Sequence, residues 1–106
     1  MNAYIPAIVQ VAPQTDYTVY VYFEDGKVVC YDVKPFLQNG VFTQIEDINV
    51  FIDRCTIMND TLAWDVSGNG DPASCIDIDP ETLYYLPHTG ERIHYDSPVV
   101  NLSAAE

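Results

Sequence analysis

Two runs of β-branched and aromatic residues, Tyr17–Phe23 and Lys27–Val33, flank an Asp25-Gly26 step. This is the feature that most constrains the fold. Such runs suit a pleated, half-buried surface, and Asp-Gly between them is the strongest short-range signal for a two-residue type I′ hairpin. That turn sets a register in which Glu24 faces Lys27, Tyr22 faces Val29 and Tyr20 faces Tyr31. Alternation then sorts the side chains. Val19, Val21, Phe23, Val28 and Cys30 form an apolar core face. Tyr20, Tyr22, Tyr31, Val29 and Val33 form a second face tipped with phenols.

The rest of the chain can build around this hairpin. Ile5–Val11 reads as an edge strand, with Pro6 and Pro13 near its ends, where a missing donor is tolerated. Lys34–Gly40 reads as a short turn stopped by Asn39-Gly40. Asp47 can cap a helix running to about Arg54, whose Ile48, Phe51, Ile52 and Cys55 form one apolar stripe. Thr56–Met58 and Thr61–Trp64 read as short strands around Asn59-Asp60. Asp79-Pro80-Glu81 gathers a cap, a first-position proline and an acid at a helix start, and Pro87 prevents extension. The expectation is one compact α+β domain over residues 1–86. It holds a small antiparallel sheet on a central hairpin, with two or three short helices. Residues 87–106 read as a partly ordered extension in which Thr89-Gly90 turns a short ribbon.

Composition narrows the function classes. The 106 residues are 48% hydrophobic, enough for a core, and carry a net charge of −12. Only Lys27, Lys34, Arg54 and Arg92 are basic. A phosphate backbone and an anionic membrane surface would both repel such a chain. Direct nucleic-acid binding and membrane binding are therefore not expected; a basic protein partner or self-association is. No apolar run is long enough to span a bilayer, and the N-terminus lacks a signal-peptide pattern, so a cytoplasmic location is expected. The three cysteines, Cys30, Cys55 and Cys75, are widely spaced and make no C-x-x-C, so each is read as a small buried hydrophobe.

Residues 60–85 hold six acids, the sole Trp and two Asp-Pro steps, with no basic residue. Asp65, Ser67, Asn69 and Gly70 match the first half of a calcium loop. The second half breaks: Pro72 stands at position eight, and Ile76 stands where a bidentate Glu belongs. Asp77 and Asp79, two apart on a strand, would point the same way and suit a divalent metal or acid/base work. Against a metal site at Asp65, Asp71, Asp77 and Asp79 stand a Ser-Gly-Asn-Gly turn and a helix cap, which account for the same residues. His88 and His94 flank Glu91 and form a weaker metal candidate. No nucleophile, base and oxyanion donors come together, so no catalytic residue and no cofactor is assigned, and a non-enzymatic role is favoured.

The ordered motifs V-Y-F-E-D-G-K-V-V-C-Y-D-V-K-P-F-L, G-V-F-T-Q-I-E-D and T-L-A-W-D-V-S-G-N-G-D-P…I-D-I-D-P-E-T-L-Y resemble a small prokaryotic family, domain of unknown function 2442, over about residues 5–85. The resemblance implies a compact α+β domain and no established activity. Some relatives add a helix-turn-helix segment, for which too little chain follows Tyr85 here. Others are encoded beside toxin-like proteins, which implies an interaction, antitoxin-like or regulatory role. The leading expectation is thus a non-enzymatic protein–protein interaction module with Tyr20, Tyr22, Tyr31 and Trp64 as contacts, since aromatic residues dominate interface energetics. The alternative is a small metal-binding domain or metal-dependent enzyme using the aspartates at 65–79.

Overall fold

A computed structural model of the chain describes residues 4–89. The α+β class expected from the sequence is what it shows, with the strands divided between two antiparallel three-stranded sheets. The first is ordered β1 (Ile8–Pro13), β2 (Thr18–Phe23), β3 (Val28–Asp32). The second is ordered β4 (Cys55–Met58), β5 (Thr61–Trp64), β6 (Ile76–Asp77). Helix α1 (Ile48–Asp53) and two 3₁₀ segments, Lys34–Phe36 and Gly40–Ile45, connect the sheets. A third 3₁₀ segment, Pro72–Ser74, precedes β6, and α2 (Pro80–Tyr84) follows it.

The helix starts are where the side-chain chemistry puts them. Asp47 accepts the Asn49 N–H at 2.9 Å, and Asp79 accepts the Glu81 N–H at 2.9 Å, each satisfying a donor that the first turn leaves unpaired. The β4–β5 connection is the two-residue Asn59-Asp60 turn, with both residues at positive φ (56° and 62°), as a type I′ hairpin requires.

The β2–β3 hairpin departs from expectation by one residue. Tyr20 pairs with Cys30, Val21 with Val29 and Tyr22 with Val28. The Phe23 N–H bonds the Lys27 carbonyl, and the Gly26 N–H bonds the Phe23 carbonyl. The loop is therefore Glu24-Asp25-Gly26, with Gly26 at φ +94°, a turn closed by a glycine bulge. Partners outside the turn select this form. The Glu24 N–H bonds the Ala7 carbonyl, and Asp25 accepts from both the Lys27 N–H and the Tyr84 hydroxyl.

A slip of one residue moves a strand's side chains to opposite faces. Val29 and Tyr31 accordingly join Val19, Val21 and Phe23 on the core face, while Val28 and Cys30 share a face with Tyr20 and Tyr22. The expected triad Tyr20, Tyr22 and Tyr31 is thus split between two faces.

The core lies between the sheets and helices. Val19, Val21, Phe23, Val29 and Val33 meet Leu62, Trp64, Ile76 and Ile78, closed by Leu37, Ile45, Phe51 and Leu83. Tyr17 holds φ +67°, unusual for a bulky residue. Its ring packs edge-on against Phe51 at 5.1 Å, and its hydroxyl donates to the Glu46 carbonyl at 2.5 Å, so packing holds the strained backbone.

Candidate interaction surface

The face of the first sheet turned from the core is built in two rows. Ala12, Tyr20 and Cys30 lie side by side, as do Gln10, Tyr22 and Val28. A bulge at Val9 in β1 leaves that residue exposed. Tyr20 and Tyr22 are half-buried, and neither is without a partner. Burial, then the neighbouring Tyr20, pushes the Tyr22 phenol up from its ordinary range. Burial likewise raises the Cys30 thiol. Ala12 and Val28 are buried within this face, so its accessible part is the two phenols and the Cys30 thiol, apolar rings with hydrogen-bonding tips, the chemistry that aromatic-rich interfaces use.

The other two expected contact residues sit elsewhere. Tyr31 is half-buried against the core and stacks on Phe36 with ring centroids 6.2 Å apart. Trp64 is fully buried, 5.5 Å from the Phe51 ring, and its indole N–H donates to the Phe51 carbonyl at 3.0 Å. A tryptophan with no exposed area cannot touch a partner of the folded domain, so its role is corrected to core and hydrogen-bond anchor.

The aspartates of residues 65–79 are each engaged locally. Asp65 accepts the Gly70 N–H at 2.9 Å and the Ser67 hydroxyl at 3.4 Å. Asp71 accepts the Ala73 N–H, capping the Pro72–Ser74 turn, and Asp79 caps α2. Asp77 accepts from the Asn59 side-chain amide at 3.0 Å. Gly68 and Gly70 supply the positive φ angles of this loop. Among the described residues, no three His, Cys, Asp or Glu side chains gather as a metal-ligand set. His88 Nδ1 accepts the Val28 N–H at 3.1 Å, while His94 lies outside the described residues, as does most of the ribbon expected at 87–106.

The cysteines divide. Cys55 packs against the core, and burial pushes its thiol up to about 12. All three cysteines are only partly buried, so the expectation of three buried hydrophobes is not met; Cys55 comes nearest to it, because it alone of the three packs against the core. Asn59 is a residue whose role its sequence position does not reveal beyond turn propensity. Its side-chain amide reaches the Pro72 carbonyl, Cys75 Sγ and Asp77, tying the β4–β5 turn to the segment before β6.

Among the described residues no helix is long and apolar enough to cross a membrane. No curated protein and no solved structure matches the chain. A family model does match, over residues 8–89, which takes in both sheets, both helices and the tyrosine-bearing face, and the chain therefore belongs to the family described as Protein of unknown function (DUF2442).

Proposed function

We propose that this domain is a non-enzymatic protein–protein interaction module whose contact face is the outer face of the first sheet, centred on Tyr20 and Tyr22. The observation that carries the reading is the pair of half-buried phenols on a face directed away from the core. The net charge of −12 supports a basic protein partner over nucleic acid or an anionic membrane. Tyr31 contributes only through its stack on Phe36, and Trp64 only through the core. A regulatory or antitoxin-like use in the bacterial cytoplasm fits such a module. The metal-dependent alternative has less support, because Asp65, Asp71, Asp77 and Asp79 each serve a turn, a cap or the Asn59 clamp.

The test is a double variant, Tyr20→Ala with Tyr22→Ala, compared with the parent chain in affinity capture from native cells and in light scattering. Loss of a reproducible partner, or a change of oligomeric state, is expected. Unchanged capture and an unchanged mass would rule this face out.

A further inference from the structure

A second surface carries a more specific assignment, one that rests on the interaction-module reading and names its partner chemistry. β6 is the last strand of the second sheet, two residues long. The Ile78 N–H bonds Leu62 on β5, so by alternation the Asp77 backbone N–H and carbonyl point to the open edge. Among the described residues no strand pairs with this edge, and a sheet edge with an unpaired donor and acceptor is a template for an added strand. Facing that edge is the 3₁₀ segment Gly40–Ile45. Between the two runs a groove of about 330 Å³, with Val41, Phe42, Cys75, Ile76 and Asp77 among its lining residues. Val41 is 55% exposed. Phe42 is partly buried beside Phe36, ring centroids 5.9 Å apart. One side of the groove is thus apolar and accessible.

The other side is acidic. Asp77 lines the groove, and Asp71 caps the turn that forms its end. The Cys75 thiol in the groove is raised first by desolvation and then by the charges of Asp77, Asp65 and Asp71, so all three carboxylates act on this point. None of the described basic side chains, Lys27, Lys34 and Arg54, lines it. The Arg54 guanidinium instead lies against Gly68.

We infer that this groove receives an extended peptide segment of a partner protein in which lysine or arginine alternates with aliphatic residues. Main-chain bonds to Asp77 would align the segment as a strand beside β6. Its aliphatic side chains would lie on Val41 and Phe42, and its cations would meet Asp71 and Asp77. Alternation is what a strand requires to present these two chemistries to opposite sides.

The probe is the synthetic peptide acetyl-KLKVKL-amide, titrated into the ¹⁵N-labelled full chain, with acetyl-ELEVEL-amide as control. Shifts are expected on the amides of Val41, Phe42 and Ser74–Asp77, with none for the acidic peptide. Val41→Ser and Asp77→Asn should each weaken binding by about tenfold, as hot-spot truncations and lost charge pairs do. Asp77→Asn keeps an acceptor for Asn59, and an unchanged melting temperature would show that folding is retained. Raising salt from about 0.05 M to about 0.5 M should weaken binding further, by screening. Silent groove amides, shifts confined to the sheet face around Tyr20 and Tyr22, or equal affinity in both variants would overturn the assignment. If the groove stays silent while the tyrosine double variant loses a captured partner, the groove assignment fails and the wider module reading stands. Groove shifts together with unaffected capture would support the groove and reject the tyrosine face.

Discussion

At the scale of single residues, the acidic segment is governed by short-range hydrogen bonding. Asp65, Ser67 and Asn69 bond one another and nearby backbone N–H groups, which is how Asp, Ser and Asn side chains stabilise turns. Gly68 is the pivot. Its φ of +74° lies in the left-handed region, and an added Cβ would fall 2.2 Å from the Arg54 guanidinium. The guanidinium can swing aside, so the backbone conformation is the larger cost. Gly68→Ala is expected to destabilise the fold by about 1–2 kcal/mol, and Gly68→Asn by less. Urea unfolding of the two variants checks this, and equal midpoints for Gly68→Ala and the parent would contradict it. Trp64 makes the complementary point. Its place in the chain suggested a contact beside an acidic cluster. Alternation put it on a face with Leu62, but only the packed structure shows that both faces of β5 are covered, Ala63 being buried as completely as Leu62 and Trp64.

Among elements, the hairpin is informative because its local code and its tertiary partners disagree. Asp25-Gly26 alone favours a two-residue turn, whereas Glu24-Asp25-Gly26 is the loop that forms. Tyr84 on α2 donates to Asp25 at 2.6 Å, Lys27 donates to the Tyr84 carbonyl, and the Lys27 ammonium lies 4.6 Å from the Tyr84 ring centroid. Tyr4 donates to Glu24 at 2.7 Å. The Tyr84 bond holds the Asp25 carboxyl below its ordinary range, and the Tyr4 bond does the same for Glu24. Asp16 is lowered by the Thr18 hydroxyl. A folded value below the unfolded one gives stability above the unfolded range that is lost as pH falls through the folded value. Thermal stability is therefore expected to decline as pH drops below about 4, where ordinary carboxylates protonate. Tyr84→Phe and Tyr4→Phe should flatten that decline. A pH profile of melting temperature measures it, and identical slopes in the variants would reject the link. The helix caps are the opposite case: Asp47 and Asp79 act on N–H groups two residues away, so nothing distant competes with the local signal.

For the molecule as a whole, charge is the dominant unresolved stress. A net −12 on a small domain opposes compaction by self-repulsion. Raising ionic strength from about 0.01 M to about 0.1 M shortens the screening length from roughly 30 Å to roughly 10 Å. The melting temperature is expected to rise by about 4 °C or more over this range, on the order of 1 kcal/mol for a domain of this size. Calorimetry at fixed pH in sodium chloride reads the effect directly, and a flat response would mean that the charges are too dispersed to matter. Each surface proposed here would relieve part of this repulsion on binding a cation-bearing partner.

Capped helices, the Asn59-Asp60 hairpin, the α+β class and the acidic surface were determined by the sequence alone, because each depends on groups a few residues apart or on composition. Tertiary structure decided the rest. It chose the β2–β3 register through Ala7 and Tyr84, which lie 17 and 59 residues from their partners Glu24 and Asp25. That choice separated Tyr31 from Tyr20 and Tyr22. It divided the strands into two sheets, enclosed Trp64, and placed Val41 and Phe42 across a groove from β6. A strand's alternation says which side chains share a face, but what covers that face depends on contacts distant in sequence, and no local pattern encodes them.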